Sequence, residues 1–288
     1  MTNPQPGVGG PSISDRLWPM LFATTPMRHL INLEKFPLDR PESHAFHSLQ
    51  AHCRDELSWS GSIGLHGFLK PEACRDAVNE VAPILDSESF THRRKHNVYF
   101  LDDVPGVDRN HPALKKSETI NHTVCADQLG QCIVTQIYEY SPLVHFLAGI
   151  LGKSGLFTMD DPLARVNVMA YRQGEALNWH FDRSEFTVTL LLQSPRAGGH
   201  FEYRPDLRSD QDPNYDGVAR LLAGRDPGKC RLAFPPGTLN IFRGRNTAHR
   251  LTPVEGNRDR IIAVFSYYEF RGKRFSEQER LGFYGRTA

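Results

Sequence analysis

The chain has 288 residues, of which 39% are hydrophobic and 23% are charged, enough for one large domain or two modest ones with a hydrophobic core. Its 34 lysines and arginines nearly balance 33 aspartates and glutamates, so the formal net charge of +1 lacks the basic excess of proteins that bind nucleic acid or anionic membranes. No segment reaches the roughly 18 uninterrupted apolar residues of a membrane span. The composition therefore predicts a globular protein that binds neither nucleic acid nor membranes.

The first residues and the cysteines favour a cytoplasmic location. Residues 1–14 are rich in Pro, Gly and Ser, so we expect a disordered tail, and they have neither the basic flank nor the apolar run of a secretion signal. The five cysteines are scattered, odd in number and without a C-x-x-C pair. Such a set fits reduced thiols in a cytosol better than a disulfide framework or a thiolate zinc site.

Helical patterns prevail in residues 15–160. The segment from Pro71 to Leu85 opens with proline and places apolar residues along one helical stripe, and further helices are predicted over 128–138 and 142–151. One strand is predicted from His96 to Asp103, where aromatic and β-branched residues cluster. We therefore expect a mainly helical region over 15–160 that packs on a core formed by the rest of the chain.

The pattern changes at Arg165 to short β-branched and aromatic segments separated by turn clusters. Antiparallel strands in this number predict a barrel or sandwich, which we place at residues 161–275. The segments are RVNVMAYR, FTVTLLLQ, HFEYRP, KCRLAF, TLNIFRG and RIIAVFSYYEF. Ser276 and Glu279 then have the spacing of a capping box, which predicts a short helix within residues 276–288.

Two histidines and one aspartate in this β-rich part are candidate metal ligands. His180 and Asp182 are two residues apart in an extended context, so both side chains can leave the same face of a strand. This pair alone is weak evidence, because a histidine beside a solvated aspartate is common. His249, at the start of a later strand, adds a second imidazole. Two imidazoles and one carboxylate form the facial triad of non-haem Fe(II), which leaves three coordination positions open.

An arginine follows the second histidine at the start of the next strand. Arg260 comes eleven residues after His249, and a guanidinium inside a barrel suits a carboxylate through two parallel hydrogen bonds. Arg258 competes with it, because the two residues have the same parity on an extended strand. Depth favours Arg260, since Arg258 is expected in the turn; the alternative for either is a surface arginine.

Together these features resemble the double-stranded β-helix core of the Fe(II)- and 2-oxoglutarate-dependent dioxygenases, in particular the prolyl-4-hydroxylase-like branch. The resemblance covers Arg165 to Phe270 and implies an α+β fold, with a jelly-roll or cupin-like core and N-terminal supporting helices. Its motifs are H-x-D at 180–182, the distal His249, the strand PPGTLNIF, the turn T-P-V-x-G, Arg260, and Tyr171 about ten residues before the H-x-D.

The resemblance implies a set of cofactors and a division of roles. His180, Asp182 and His249 would hold Fe(II), while Arg260 or Arg258, with Tyr171, would bind the far carboxylate of 2-oxoglutarate. Dioxygen would be the second cosubstrate, succinate and CO2 the co-products, and ascorbate a candidate reductant. Asp182 stands where halogenating relatives have Ala or Gly, so the family pattern favours hydroxylation or another oxidation over halogenation.

The substrate expected from this resemblance is a small polar molecule such as an amino acid or a biosynthetic intermediate. A polar insertion over residues 205–229 is long for a hairpin connection and is a candidate binding loop or lid. Three alternatives stay open: a hydroxylase of protein side chains, a metal-binding β-barrel sensor without catalysis, and a zinc hydrolase. Candidate substrate contacts flank the metal ligands: Arg183, Glu185, Arg204, Arg243 and Asn246.

Overall fold

The computed structural model describes residues 27–288, so the tail predicted over residues 1–14 lies outside the described residues. Within the described part, helices alternate with strands in the first half and strands prevail in the second. The helices are α1 Met27–Leu30, α2 His44–Ser60, α3 Pro71–Glu88, α4 Ala126–Leu129, α5 Ile133–Tyr138, α6 Ser141–Ile150, α7 Tyr215–Leu222 and α8 Glu277–Tyr284.

The strands form two main antiparallel sheets. They are β1 Ser62–Leu65, β2 Phe90–His96, β3 Ser117–Val124, β4 Phe157–Thr158, β5 Val166–Tyr171, β6 Leu177–His180, β7 Thr187–Gln193, β8 Ala197–Gly198, β9 Phe201–Arg204, β10 Cys230–Leu232, β11 Leu239–Phe242, β12 Ala248–Leu251, β13 Val254–Glu255, β14 Arg260–Phe265 and β15 Tyr267–Tyr268. The major sheet has the order β1-β11-β7-β14-β5-β3-β2, and the minor sheet has the order β10-β9-β12-β6. Two-stranded pairings, β13-β8 and β15-β4, complete the described strands.

Helix α3 illustrates how the sequence sets the helical layer. Proline at its first position has no amide hydrogen to leave unpaired, and a stripe of apolar residues including Ala77, Val81 and Leu85 is buried. The helix predicted over 128–138 is divided in two, because Gly130 leaves the helix with a φ of 55°. The predicted capping box is present at α8, where Ser276 and Glu279 bond each other's backbone amides.

The strand predicted from His96 to Asp103 is wrong in position. The strand of this region, β2, ends at His96, and the next residues form a turn. The Oδ1 atom of Asn97 accepts hydrogen bonds from the amides of Tyr99 and Leu101, which ties the chain into a local loop. Phe100 within it has a positive φ of 57°, which is incompatible with a strand.

Alternation along the major strands separates a helix-facing side from an inner side. In β5, Val166, Val168 and Ala170 join the large core beneath the helices, whereas Met169 and Tyr171 face the opposite way. A smaller apolar cluster joins the inner faces of both sheets, so the two sheets enclose a common interior. It contains Tyr171, Leu251 and Val254, with Met169, Leu177 and Ile262 packed against it.

The first half of the chain contributes strands as well as helices to this fold. Strands β1, β2 and β3, all before residue 161, form both edges of the major sheet. Helix α7, from the insertion over 205–229, packs on the outer side of the minor sheet, where Val218 and Leu221 share a cluster with Trp179 and Phe181. Among the described residues, no helix has the length and apolar character needed to cross a membrane.

Candidate metal centre

Two histidines face each other across the minor sheet. His180 ends β6 and His249 lies in β12, where the two are direct partners in the ladder with ring centroids 4.0 Å apart. The Nδ1 atom of His180 lies 2.8 Å from the carbonyl oxygen of Asn178, and that of His249 lies 3.0 Å from the carbonyl of Thr247. A carbonyl can only accept, so each Nδ1 carries the proton and each Nε2 has a free lone pair for a metal.

The carboxylate of Asp182 completes the group. Its Oδ1 atom lies 3.5 Å from Nε2 of both His180 and His249. Its Oδ2 atom accepts a 2.6 Å hydrogen bond from the hydroxyl of Thr187, which fixes the carboxylate plane. The carbonyl of Gly244 accepts from the Asp182 amide, and any side chain at position 244 would collide with this carboxylate. Glycine is therefore required there by close approach rather than by backbone conformation.

The electrostatics of the three side chains favour the protonation states that bind metals. Burial alone would raise the pKa of Asp182, but the neighbouring imidazoles of His249 and His180 outweigh it and hold that pKa well below its ordinary value. Burial, and then the charge of His249, lower the pKa of His180. At neutral pH the centre thus offers an anionic carboxylate and a neutral imidazole, the forms that coordinate divalent ions.

The donor set and its spacing fit one transition-metal ion. One ligand atom from each of His180, Asp182 and His249 lies within 4.8 Å of the other two. Two imidazole nitrogens and one carboxylate oxygen suit Fe(II), and a set of three leaves other coordination positions to exogenous ligands. Both imidazoles are almost fully buried, with exposures of 6% and 4%, while Asp182 lies at the rim of the interior.

The two competing arginines occupy different environments. Arg260 is buried at 5% exposure, whereas Arg258 is exposed in the turn before β14. Burial lowers the pKa of Arg260 to about 10, opposed by the neighbouring Tyr171, its direct partner on β5. The Arg260 guanidinium makes no ion pair with any described residue. Burying a guanidinium without an ion pair costs stability, and a bound anion would offset that cost.

A packed apolar cluster lies between the strand position of this arginine and the metal ligands. Leu177 and Leu251 are ladder partners in the minor sheet, one step beyond the pair His180 and His249. They pack against Tyr171, whose hydroxyl donates to the sulfur of Met169 at 3.9 Å. The interior therefore has metal-binding atoms at one end, a cation and a phenol at the other, and aliphatic walls between them.

Most of the predicted substrate contacts are engaged elsewhere. Three of them form ion pairs: Arg183 with Glu279, Glu185 with Lys153, and Arg204 with Asp226. Arg243 is exposed next to Gly244, and the Oδ1 atom of Asn246 is buried without a hydrogen-bond partner among the described residues.

Phe100 lies beside the metal centre and was missed by the sequence analysis. Its ring stacks on His96 at 4.4 Å and meets His180 edge-on at 5.9 Å, and Arg94 lies over it at 5.1 Å. The backbone of Phe100 is left-handed and its side chain is 37% exposed, which is unusual for a large apolar residue. Its position follows from the turn at Asn97, so only the turn chemistry of that residue could have indicated it.

The insertion over 205–229 is packed rather than open. The amides of Leu207 and Arg208 donate to the carbonyl of Asn246, and the hydroxyl of Tyr99 donates to the carbonyl of Pro213. The insertion is thus fastened both to the turn before His249 and to the loop that carries Phe100.

Comparison with known proteins agrees with this geometry. A sequence model of the family described as HalD, Halogenase D, matches residues 47–276, and no curated protein matches the chain. SnoN, described as a non-haem α-ketoglutarate-dependent epimerase from nogalamycin biosynthesis, superposes with a TM-score of 0.52 and 12% identity over 77% of this chain and 81% of its own.

Two further solved structures are similar to this chain. AviO1 from Streptomyces viridochromogenes Tue57 gives a TM-score of 0.52 at 12% identity, over 76% of this chain and 94% of its own. A prolyl-4-hydroxylase from Pseudomonas putida gives 0.47 at 15% identity, over 78% of this chain and 100% of its own. At such identities the likeness concerns the fold alone, and the superpositions with SnoN and AviO1 confirm the predicted double-stranded β-helix.

Proposed function

The chain belongs to the Halogenase D family, and we propose that it is an Fe(II)- and 2-oxoglutarate-dependent oxygenase that hydroxylates a small polar molecule. The observation that carries this proposal is the complete triad of His180, Asp182 and His249, with Arg260 buried in the same interior. A buried cation without a protein partner is a stability cost that a bound dicarboxylate would offset.

The proposal favours oxygenation over the halogenation that the family name suggests. A halide on the metal needs a coordination position that the protein leaves open. Here the Asp182 carboxylate lies 3.5 Å from both Nε2 atoms and is fixed by Thr187, so a protein oxygen fills that position. Close packing of Gly244 on the same carboxylate supports this, because it leaves little room for the side chain to move aside.

Different residues would hold the metal and the far end of the cosubstrate. His180, Asp182 and His249 would hold Fe(II), and the iron with dioxygen and 2-oxoglutarate would supply the oxidising power for C–H cleavage. Arg260 would pair with the far carboxylate through its planar guanidinium. The aliphatic side chains of Leu177, Leu251, Met169 and Ile262 match the methylene groups of a five-carbon diacid.

Tyr171 would add a neutral hydrogen-bond donor to that carboxylate. Burial raises the pKa of this phenol to about 12, while the charge of Arg260 acts in the opposite direction. The phenol therefore keeps its proton at physiological pH and donates rather than repels. Arg260 and Tyr171 are ladder partners, so the two groups are positioned by the pairing of β14 with β5.

Product analysis tests the proposed reaction. Purified protein is given Fe(II), ascorbate and 2-oxoglutarate labelled at C1, and release of labelled CO2 with succinate is measured in air and under nitrogen. We expect oxygen- and iron-dependent release that His180→Ala and Asp182→Ala abolish. Release unaffected by these variants would contradict the proposal.

Two alternatives predict different outcomes in the same assay. A sensor without catalysis would bind 2-oxoglutarate but release no CO2 under any condition. A hydroxylase of protein side chains would raise succinate formation with peptides rather than with free small molecules. We favour a small molecule, because the ring of Phe100 lies against His180 and takes up space beside the metal ligands.

A further inference from the structure

Arg208, in the insertion over 205–229, is a half-buried cation that forms no ion pair with any described residue. Its guanidinium lies 4.0 Å above the ring of Phe181, the residue between the ligands His180 and Asp182. Its Nε atom donates to the carbonyl of Arg245 at 2.8 Å, and this is the one hydrogen bond of its side chain among the described residues. The terminal nitrogens of the guanidinium therefore keep their hydrogens free for another acceptor.

The same turn holds both Arg208 and a metal ligand. The Asp182 amide donates to the carbonyl of Gly244, and the Arg208 side chain donates to the carbonyl of the next residue, Arg245. The carbonyls of two adjacent residues thus hold the Asp182 backbone and the Arg208 side chain close to each other. Burial lowers the pKa of Arg208, and the neighbouring groups of Tyr99, Asp210 and, last, Asp182 act in the opposite direction.

A second cation without an ion pair in the described structure is linked to His180 through an aromatic ring. Arg94 projects over the ring of Phe100 at 5.1 Å, and that ring is 5.9 Å from the ring of His180. Two arginines that form no ion pair with any described residue thus stack on aromatic rings next to the metal ligands, in a chain whose formal net charge is only +1. Charge of one sign around a cleft attracts ligands of the opposite sign.

We propose that Arg208 binds an acidic group of the substrate, a carboxylate or a phosphate monoester, and that Arg94 adds to the attraction. This inference rests on the proposed function and names the substrate class that the oxygenase accepts. A guanidinium offers a planar fork that fits either group bidentately, and stacking on Phe181 fixes the plane of the fork. The fixed insertion makes Arg208 a specificity-determining residue at a preformed site rather than on a mobile lid.

Binding measurements with matched ligand pairs test this assignment. The protein is loaded with Fe(II) and 2-oxoglutarate under nitrogen, and the visible charge-transfer band is followed during titration. The probes are amino acids against their primary amides, and glycerol phosphate against glycerol, so that each pair differs in the acidic group alone. We expect the acidic members to perturb the band and the neutral members to bind about 10- to 100-fold more weakly.

Variants assign the effect to Arg208. Arg208→Gln is expected to weaken the binding of the acidic probes about 10- to 100-fold. Arg208→Lys should cause an intermediate loss of affinity, and Arg94→Gln a smaller one. Arg225→Ala, an exposed arginine of the same insertion, is the matched control and should leave binding unchanged. A carboxylate preference identifies an organic acid as the ligand class, and a phosphate preference identifies a phosphate ester.

Three results would overturn the proposal: no response to any acidic member at millimolar concentration, equal responses to acidic and neutral members, or Arg208→Gln binding acids as wild type does. The charge-transfer band itself reports whether Fe(II) and 2-oxoglutarate are bound. Its absence in wild type would refute the proposed function, whereas its presence without discrimination refutes the role of Arg208 alone.

Discussion

Replacing Arg260 by methionine should move cosubstrate binding and protein stability in opposite directions. Arg260 is 5% exposed and has no carboxylate partner among the described residues, and burial lowers its pKa from the ordinary arginine value to about 10. A lowering of this size corresponds to a cost of about 2–4 kcal/mol for keeping the charged form buried at neutral pH. Methionine has a similar length and no charge, so the ligand-free variant should be at least as stable as wild type.

Binding of 2-oxoglutarate should fail in the same variant. Truncating one partner of a buried charge pair costs about 2–5 kcal/mol, which is a weakening of about 30-fold to several thousandfold. The assay is an anaerobic titration of the Fe(II)-loaded protein with 2-oxoglutarate, alongside chemical denaturation of the ligand-free form. Arg258→Met is the matched control, because Arg258 is exposed, and a change of about twofold or less is expected.

The assignment of Arg260 is refuted if Arg258→Met weakens the binding of 2-oxoglutarate as much as Arg260→Met does. It is also refuted if the ligand-free Arg260→Met variant is destabilised by several kcal/mol, since this would mean that the guanidinium already has a partner within the protein.

Three further perturbations test other parts of the structure. Thr187→Val removes the 2.6 Å hydrogen bond to Asp182 and should weaken the binding of Fe(II) about 10-fold in metal titrations. Thr187→Ser should restore the affinity for Fe(II). An unchanged affinity in Thr187→Val would argue against orientation of the carboxylate by this hydroxyl. Asp182→Gly should make the charge-transfer band of the Fe(II) and 2-oxoglutarate complex sensitive to chloride, whereas wild type should not respond; a chloride response in wild type would favour the halogenase alternative. Asp161 is fully buried, and its carboxylate accepts hydrogen bonds from the amides of Leu163, Ala164 and Phe275 and from Arg280. We expect Asp161→Asn to lower the free energy of unfolding by about 3–5 kcal/mol, measured by urea denaturation.

The Asp161 prediction includes a dependence on pH. Burial would raise the pKa of this carboxyl, but the hydrogen bonds it accepts lower it below the ordinary value of 3.8. A lowered folded-state pKa means that the stability contribution is fully present above pH 3.8 and is lost as the pH falls through the lower, folded value. The stability advantage of wild type over Asp161→Asn should therefore disappear in acid. A difference in the free energy of unfolding that is constant at all pH values would contradict this assignment.

The β-rich second half was readable from the sequence because its strands are short, apolar and punctuated by turn residues. The spacing of His180, Asp182 and His249 was informative for the same reason: each lies on or next to a strand whose side chains alternate, so the face of each was predictable. The preference for Arg260 over Arg258 also rested on depth along a strand, and their difference in burial agrees with it.

The strands of the first half could not be read in this way. Strand β2 has the sequence FTHRRKH and lies at the edge of the major sheet, where polar side chains are tolerated on both faces. The apolar residues that follow it suggested a strand, yet the Asn97 side chain bonds two amides and forms a turn there instead. Local side-chain hydrogen bonds of this kind override the hydrophobic pattern.

Arg208 and Phe100 were out of reach for a different reason. Arg208 stacks on Phe181, 27 positions earlier in the chain, and Phe100 meets His180, 80 positions later. Neither contact has a sequence periodicity, because both arise where a loop and an insertion close over the end of the minor sheet. Residues that border a site from such segments are visible only once the topology is known.

The most direct measurement is an anaerobic titration of metal-free protein with Fe(II) in the presence of 2-oxoglutarate, followed by visible absorption. We expect one equivalent of iron, a charge-transfer band that requires both iron and the oxoacid, and loss of that band in His249→Ala. Tight binding of zinc with no absorption on adding Fe(II) and 2-oxoglutarate would contradict this expectation.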